Sequence, residues 1–144
     1  MRASGLATAT LLLTWLVATP PAVAQELDEL RAAATAGDPG AQAALGSILY
    51  RGDGVARDPV AAFAWLERAA QQGEPSAQRG LAVLYYNGEG TVQHLVEALK
   101  WALIASARGD AEAVRHRDFL HDRLAPFQVR EAERLAAAWS PTPE

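Results

Sequence analysis

The chain contains no cysteine and a single lysine, Lys100. Without cysteine there is no disulfide, no thiolate nucleophile and no lipid-bearing cysteine behind the apolar N-terminal segment, so stability has to come from packing. Histidine is scarce too: His94, His116 and His121 are the full set. His116 and His121 are five residues apart and fall on different faces of a helix, and Asp118, His121 and Asp122 form at most one weak cluster. These residues read as solvated polar surface, and neither a metal site nor a cofactor is expected. Beyond the N-terminal segment, Ser47, Ser76, Ser106 and Ser140 occur outside any Gly-x-Ser-x-Gly setting, and no carboxylate pairing is visible, so no catalytic residue is assigned and the chain reads as a non-enzyme. Its formal net charge of −4 argues against general attraction to nucleic acid.

Long hydrophobic runs are missing apart from one, which spans about residues 6–18. It follows Arg2 and precedes two prolines and a small-x-small end at Ala22-Val23-Ala24. That is the pattern of a secretory signal peptide over residues 1–24, with cleavage before Gln25, and it places the mature protein in the periplasm or outside the cell. The run is shorter than the ~20 residues a spanning helix needs, so no stable membrane insertion is expected after cleavage. The mature chain, residues 25–144, carries 12 basic against 17 acidic side chains and has the length of one domain.

What the chain does have is a repeat. Shifted by 36 residues, segment 37–72 lies over segment 73–108 with twelve identities, among them Gln42 and Gln78, Tyr50 and Tyr86, Gly52 and Gly88, Gly54 and Gly90, and Trp65 and Trp101. Repetition at this period signals stacked helical hairpins. Ala41, Leu45, Ile48 and Leu49, repeated as Ala77, Leu81, Leu84 and Tyr85, put one helix over about 39–51 and another over 75–87. Ala62, Trp65, Leu66 and Ala69, matched by Ala98, Trp101, Ala102 and Ala105, mark the second helix of each unit. Asp58-Pro59 fits a cap followed by a first helical position, and Gly37, Gly73 and Gly109 fit positions just past a helix end. The glycine pairs 52/54 and 88/90 resemble a phosphate cradle, but they lie between helices with no preceding strand and no third glycine. They are turn glycines reaching positive φ.

The order Ala-x3-Leu-Gly-x3-Tyr-x-Gly-x-Gly-Val-x2-Asp followed by Ala-x2-Trp-x3-Ala-Ala-x2-Gly, from Ala41 to Gly73, resembles the Sel-one-like repeat (SLR), a relative of the tetratricopeptide repeat (TPR). The resemblance implies an all-α fold, an α/α solenoid of stacked hairpins with terminal capping helices, whose first helices line a concave face used for protein–protein interaction. On that reading residues 26–36 are a half repeat, 37–72 and 73–108 are repeats, 109–139 is a divergent cap and 140–144 is a disordered tail. Six helices and about two and a half repeats are expected. Three departures stand out. His94 replaces Asp58 and is expected to weaken the second cap, Ala82 replaces Gly46, and Ala61 and Glu97 stand where the family often has lysine. A cysteine-rich branch of the family has been linked to β-lactam binding or cleavage, so an envelope hydrolase acting on β-lactam or peptidoglycan-type substrates is the alternative, through cysteines this chain lacks. A purely structural link between envelope components is a third reading.

On the face of the first helices opposite the core stripe, the spacing i, i+4, i+7, i+8 collects Ala43, Ser47, Tyr50 and Arg51, then Arg79, Val83, Tyr86 and Asn87, then Arg115, Phe119, Asp122 and Arg123. The candidate groove therefore comprises Tyr50, Arg51, Arg79, Val83, Tyr86, Asn87, Arg115 and Phe119. Read this way it is basic and aromatic, suited to a protein or peptide partner that is acidic or carboxylate-terminated, with Arg79 and Arg115 as the clasp. The six arginines between 108 and 134 are matched by six acids, so that stretch reads as a solvated helical surface.

Overall fold

The computed structural model describes residues 21–142. The apolar run of the expected signal segment and residues 143–144 lie outside the described residues. Within them the order is α1 (Pro21–Thr35), α2 (Pro39–Arg51), α3 (Pro59–Gln71), α4 (Pro75–Asn87), α5 (Leu95–Ser106), α6 (Ala111–His121) and α7 (Pro126–Ala138). That is seven helices rather than six, because the half repeat, both hairpins and both cap helices all form. No described helix is long and apolar enough to cross a membrane.

The helix ends follow the local sequence. Asp38 and Asp58 accept from the backbone N–H three residues on, at 2.6 and 3.0 Å, and a proline follows each at the first helical position, where its missing N–H costs nothing. At the start of α5, His94 takes over this role: its Nδ1 accepts from the Glu97 N–H at 3.2 Å. A neutral nitrogen lacks the negative charge that favours a helix N-terminus, so the second cap is weaker than the first but present. Gly52 and Gly88 close α2 and α4 in the left-handed region, with φ of 74° and 69°.

Each hairpin packs its own two helices together, and each second helix packs on the next first helix. The first helices α2, α4 and α6 also touch in succession, whereas α3 and α5 barely meet, so α2, α4 and α6 form the inner, concave side. Wholly buried Ala62, Ala69, Ala98 and Ala105 let the paired helices approach closely. The main core gathers Leu66, Leu81, Leu84, Leu99 and Trp101, and a smaller cluster of Ala34, Ala41 and Leu45 seats α1. Size is traded between repeats. A Cβ on Gly46 would stand 2.7 Å from Leu66 Cγ, but the residue one repeat beyond Leu66 is Ala102, which leaves room for the methyl of Ala82.

Two buried glutamines bind consecutive repeats. Gln42 Nε2 donates to the Ala34 carbonyl at 3.1 Å and Gln78 Nε2 to the Ala70 carbonyl at 3.2 Å, adding a second donor to carbonyls at the preceding helix end that already accept from the Gly37 and Gly73 N–H groups. Gln72 completes the first of these by donating to Gln42 Oε1 at 2.8 Å. One repeat later the residue at its place is Arg108, which turns to the Gly73 carbonyl at 2.6 Å instead.

The last helix breaks the pattern. Instead of pairing with α6, α7 lies against α5. Only Ala113 and Leu120 of α6 are buried, so the drifted stripe, with Arg117 at the place of Leu81, offers little for α7 to cover. Trp139 sits edge-on to Trp101 at 5.9 Å and its indole N–H donates to Gln71 Oε1 at 3.2 Å. The Thr142 N–H donates to the Gln71 carbonyl at 2.7 Å, so the tail expected to be disordered from residue 140 is anchored through Thr142.

Candidate functional site

Two hollows open on the face of the first helices and share Val83. The larger, between α4 and α6, encloses about 280 Å³. Its walls bring together Val83, Tyr86, Asn87 and Phe119 from the candidate groove and add Ala82, His116 and Leu120. The smaller, about 110 Å³, lies between α2 and α4 and includes Tyr50, Arg51 and Val83 with Leu66 and Leu84 beneath. The repeat explains the alignment: Tyr50 and Tyr86 sit one unit apart on the last turn of α2 and α4. Tyr86 is set edge-on against Phe119 with ring centroids 5.4 Å apart, an arrangement that aromatic quadrupoles favour.

The two tyrosines differ in what their hydroxyls meet. Tyr50 Oη donates to Glu89 Oε2 at 2.6 Å, and Arg57 Nη2 reaches Glu89 Oε1 at 2.7 Å. These bonds, the Tyr50 one first, hold the Glu89 carboxyl below its ordinary value, and the same bond raises the Tyr50 hydroxyl. Tyr50 is thereby a strut between repeats. No hydroxyl partner of Tyr86 is found among the described residues, and its ring forms a wall of the hollow.

Arg79 and Arg115, the expected clasp, both face acids of this chain. Arg79 pairs with Glu112 and lies 3.6 Å from Asp110, and Arg115 lies 3.6 Å from the same Glu112. Arg51 pairs with Asp53 at 2.6 Å. Each of the three thus has an acid of this chain within ion-pair distance, and neither Arg79 nor Arg115 lines either of the two hollows. Ala43, expected on the groove face, is buried at 4% exposure in the main core. The groove floor is therefore apolar, with charge confined to its rim.

His116 is the functional candidate that the sequence reading missed, having been assigned to solvated surface. It is half-buried in the wall of the larger hollow, and its Nδ1 is buried without a hydrogen-bond partner among the described residues. The signal for it was positional: His116 falls one repeat beyond Gly80, which lines the smaller hollow. No group of three or more metal-ligating side chains occurs among the described residues.

A stack of two-helix units with an inner face of first helices is the architecture of an interaction solenoid. The Sel1 repeat family matches residues 39–74 and 75–110, the same period as the sequence shift and two residues later in phase, and the chain belongs to that family. Sel1 repeats generally mediate protein–protein interaction, and the fold is typically a non-enzymatic scaffold. Among solved structures, a protective antigen of uropathogenic Escherichia coli strains displaying an SLR fold superposes with a TM-score of 0.74 at 33% identity, over 76% of this chain and 24% of that one. This chain thus spans about a quarter of the antigen's length. A Sel1 repeat protein from Oxalobacter formigenes gives a TM-score of 0.64 at 38% identity, over 66% of this chain and 71% of that one. No curated protein matches the chain.

Proposed function

We propose that this protein is an exported adaptor whose concave groove holds a peptide segment of a partner protein in the periplasm or outside the cell, in envelope signalling or assembly. The observation that carries the reading is the larger hollow: an apolar recess of about 280 Å³ walled by Val83, Tyr86 and Phe119. Aromatic side chains at the centre of a recess are typical anchors of protein interfaces. Export rests on the charged, apolar and small-residue pattern of residues 1–24.

The experiment is a crosslinking pull-down from the periplasmic fraction with the native protein and a Val83→Glu variant, which puts a charge into the groove. The native protein is expected to bring down one specific partner, the variant to lose it with helicity unchanged, and the recovered chain to begin at Gln25. Equal recovery by both proteins would move binding off the concave face. A chain that keeps residue 1 and stays in the cytoplasm would end the export reading.

A further inference from the structure

Of the arginines on the concave face, Arg123 is the one without an acid. Its guanidinium carbon stands 3.5 Å over the Phe119 ring, and its Nη1 donates to the Phe119 carbonyl at 3.2 Å. Among the described residues it forms no ion pair, whereas Arg51, Arg79 and Arg115 all do. Stacking on an aromatic face fixes the planar fork and leaves its remaining N–H groups free to bind a carboxylate side-on. Phe119 is also a wall of the larger hollow, so the uncompensated cation, though not itself a lining residue, stands one side chain away from the apolar recess.

His116 lines the same recess, and its Nδ1 is buried behind the wall without a partner among the described residues. A buried polar atom without a partner is costly, and a ligand that satisfies it recovers that cost on binding. An apolar side chain in the hollow brings its own backbone amide to the wall, where the imidazole can accept from it once its ring turns Nδ1 toward the hollow. The larger and smaller hollows share Val83 as a wall, so a peptide that fills both passes over Val83 along the face of the first helices. The carboxylate that meets Arg123 is assigned to a side chain; a chain terminus presents the same two oxygens, so amidated and free C-termini have to be compared.

Resting on the adaptor reading, we propose that Arg123 and His116 make the larger hollow selective for an apolar side chain lying next to an aspartate or glutamate within the partner's chain. Arg123 reads the acid, His116 meets the backbone amide, and Val83, Tyr86 and Phe119 hold the apolar side chain. The acidic preference expected of Arg79 and Arg115 is thereby reassigned to a residue whose charge is unspent.

The test uses the protein from Gln25 onward against two random-sequence peptide libraries, one amidated and one with a free C-terminus. Selected peptides are then measured by fluorescence anisotropy. The expected consensus is an apolar residue beside Asp or Glu at internal positions, equally well bound from either library. Arg123→Ala is expected to weaken such a peptide by about tenfold or more, the scale of a hydrogen bond to a charged group. Arg79→Ala is expected to leave the affinity within about twofold. His116→Ala is expected to weaken acidic and neutral peptides alike. Binding that needs Val83 but ignores Arg123, or a consensus without acids, overturns this proposal and leaves the adaptor reading intact. Enrichment only at free C-termini overturns the choice of an internal acid. No binder to the native protein, or binders indifferent to Val83→Glu, would remove the concave-face reading and this inference with it.

Discussion

Tyr50 and Tyr86 stand at the same place in consecutive repeats, and the loops after them are built alike. Arg57 Nε and Gln93 Nε2 donate to the two tyrosine carbonyls at 2.9 and 2.7 Å, and the Asp58 and His94 N–H groups close the loops onto Leu49 and Tyr85 at 2.8 and 2.9 Å. Gly54 and Gly90 have nearly equal φ, 70° and 72°. The surroundings differ. The first loop turns its own side outward and lends Tyr50 and Arg57 to Glu89 of the second. The second loop is pressed onto the first unit, while its tyrosine remains free to line a recess. One local sequence thus does two jobs: the first copy joins the stack and the second faces the groove.

The glycines give the largest test of that difference. A Cβ at Gly90 would lie 2.0 Å from the Pro59 carbonyl oxygen, whereas one at Gly54 would meet nothing within 4 Å. Gly90→Ala adds backbone overlap to the left-handed strain and is expected to destabilise by roughly 3 to 5 kcal/mol. Gly54→Ala carries the strain alone and is expected to cost about 1 kcal/mol. Urea denaturation of the two variants measures both, and equal losses would break the comparison.

A smaller effect sharpens it. Glu89 titrates below its ordinary 4.5, first because of the Tyr50 hydrogen bond and then because of Arg57. A depressed folded value means that the stabilisation is fully present above pH 4.5 and is lost as pH falls through the lowered value. Glu89→Gln is expected to cost a few tenths to about 1 kcal/mol at neutral pH, as for a partly exposed pair. Its stability curve should converge with the native one in acid. A constant offset down to low pH would show that the carboxylate charge is not what joins the repeats.

The repeats, the hairpins and the turn glycines were legible because each follows from residues near one another in sequence. So was the apolar and aromatic half of the groove, since helical spacing alone puts Val83, Tyr86 and Asn87 on one face and Phe119 at the equivalent place one repeat on. The charges were not legible. The acids that occupy Arg79 lie on and before another helix, at Asp110 and Glu112, and the acid that occupies Tyr50 is in the next loop, at Glu89. A stripe read one helix at a time assigns each arginine to solvent or ligand and cannot see these partners. For the same reason His116 passed for surface, and α7 gave no sign that it would leave α6 for α5 and Gln71.

The central claim is that a partner lies on the concave face and enters at the second tyrosine. A photoreactive phenylalanine analogue installed in place of Tyr86, of Tyr50 or of Glu67 on the outer helix α3 addresses it directly in living cells. The account predicts one partner crosslinked strongly from position 86, less from position 50, and not at all from position 67. Crosslinking from position 67 with none from position 86 would contradict it.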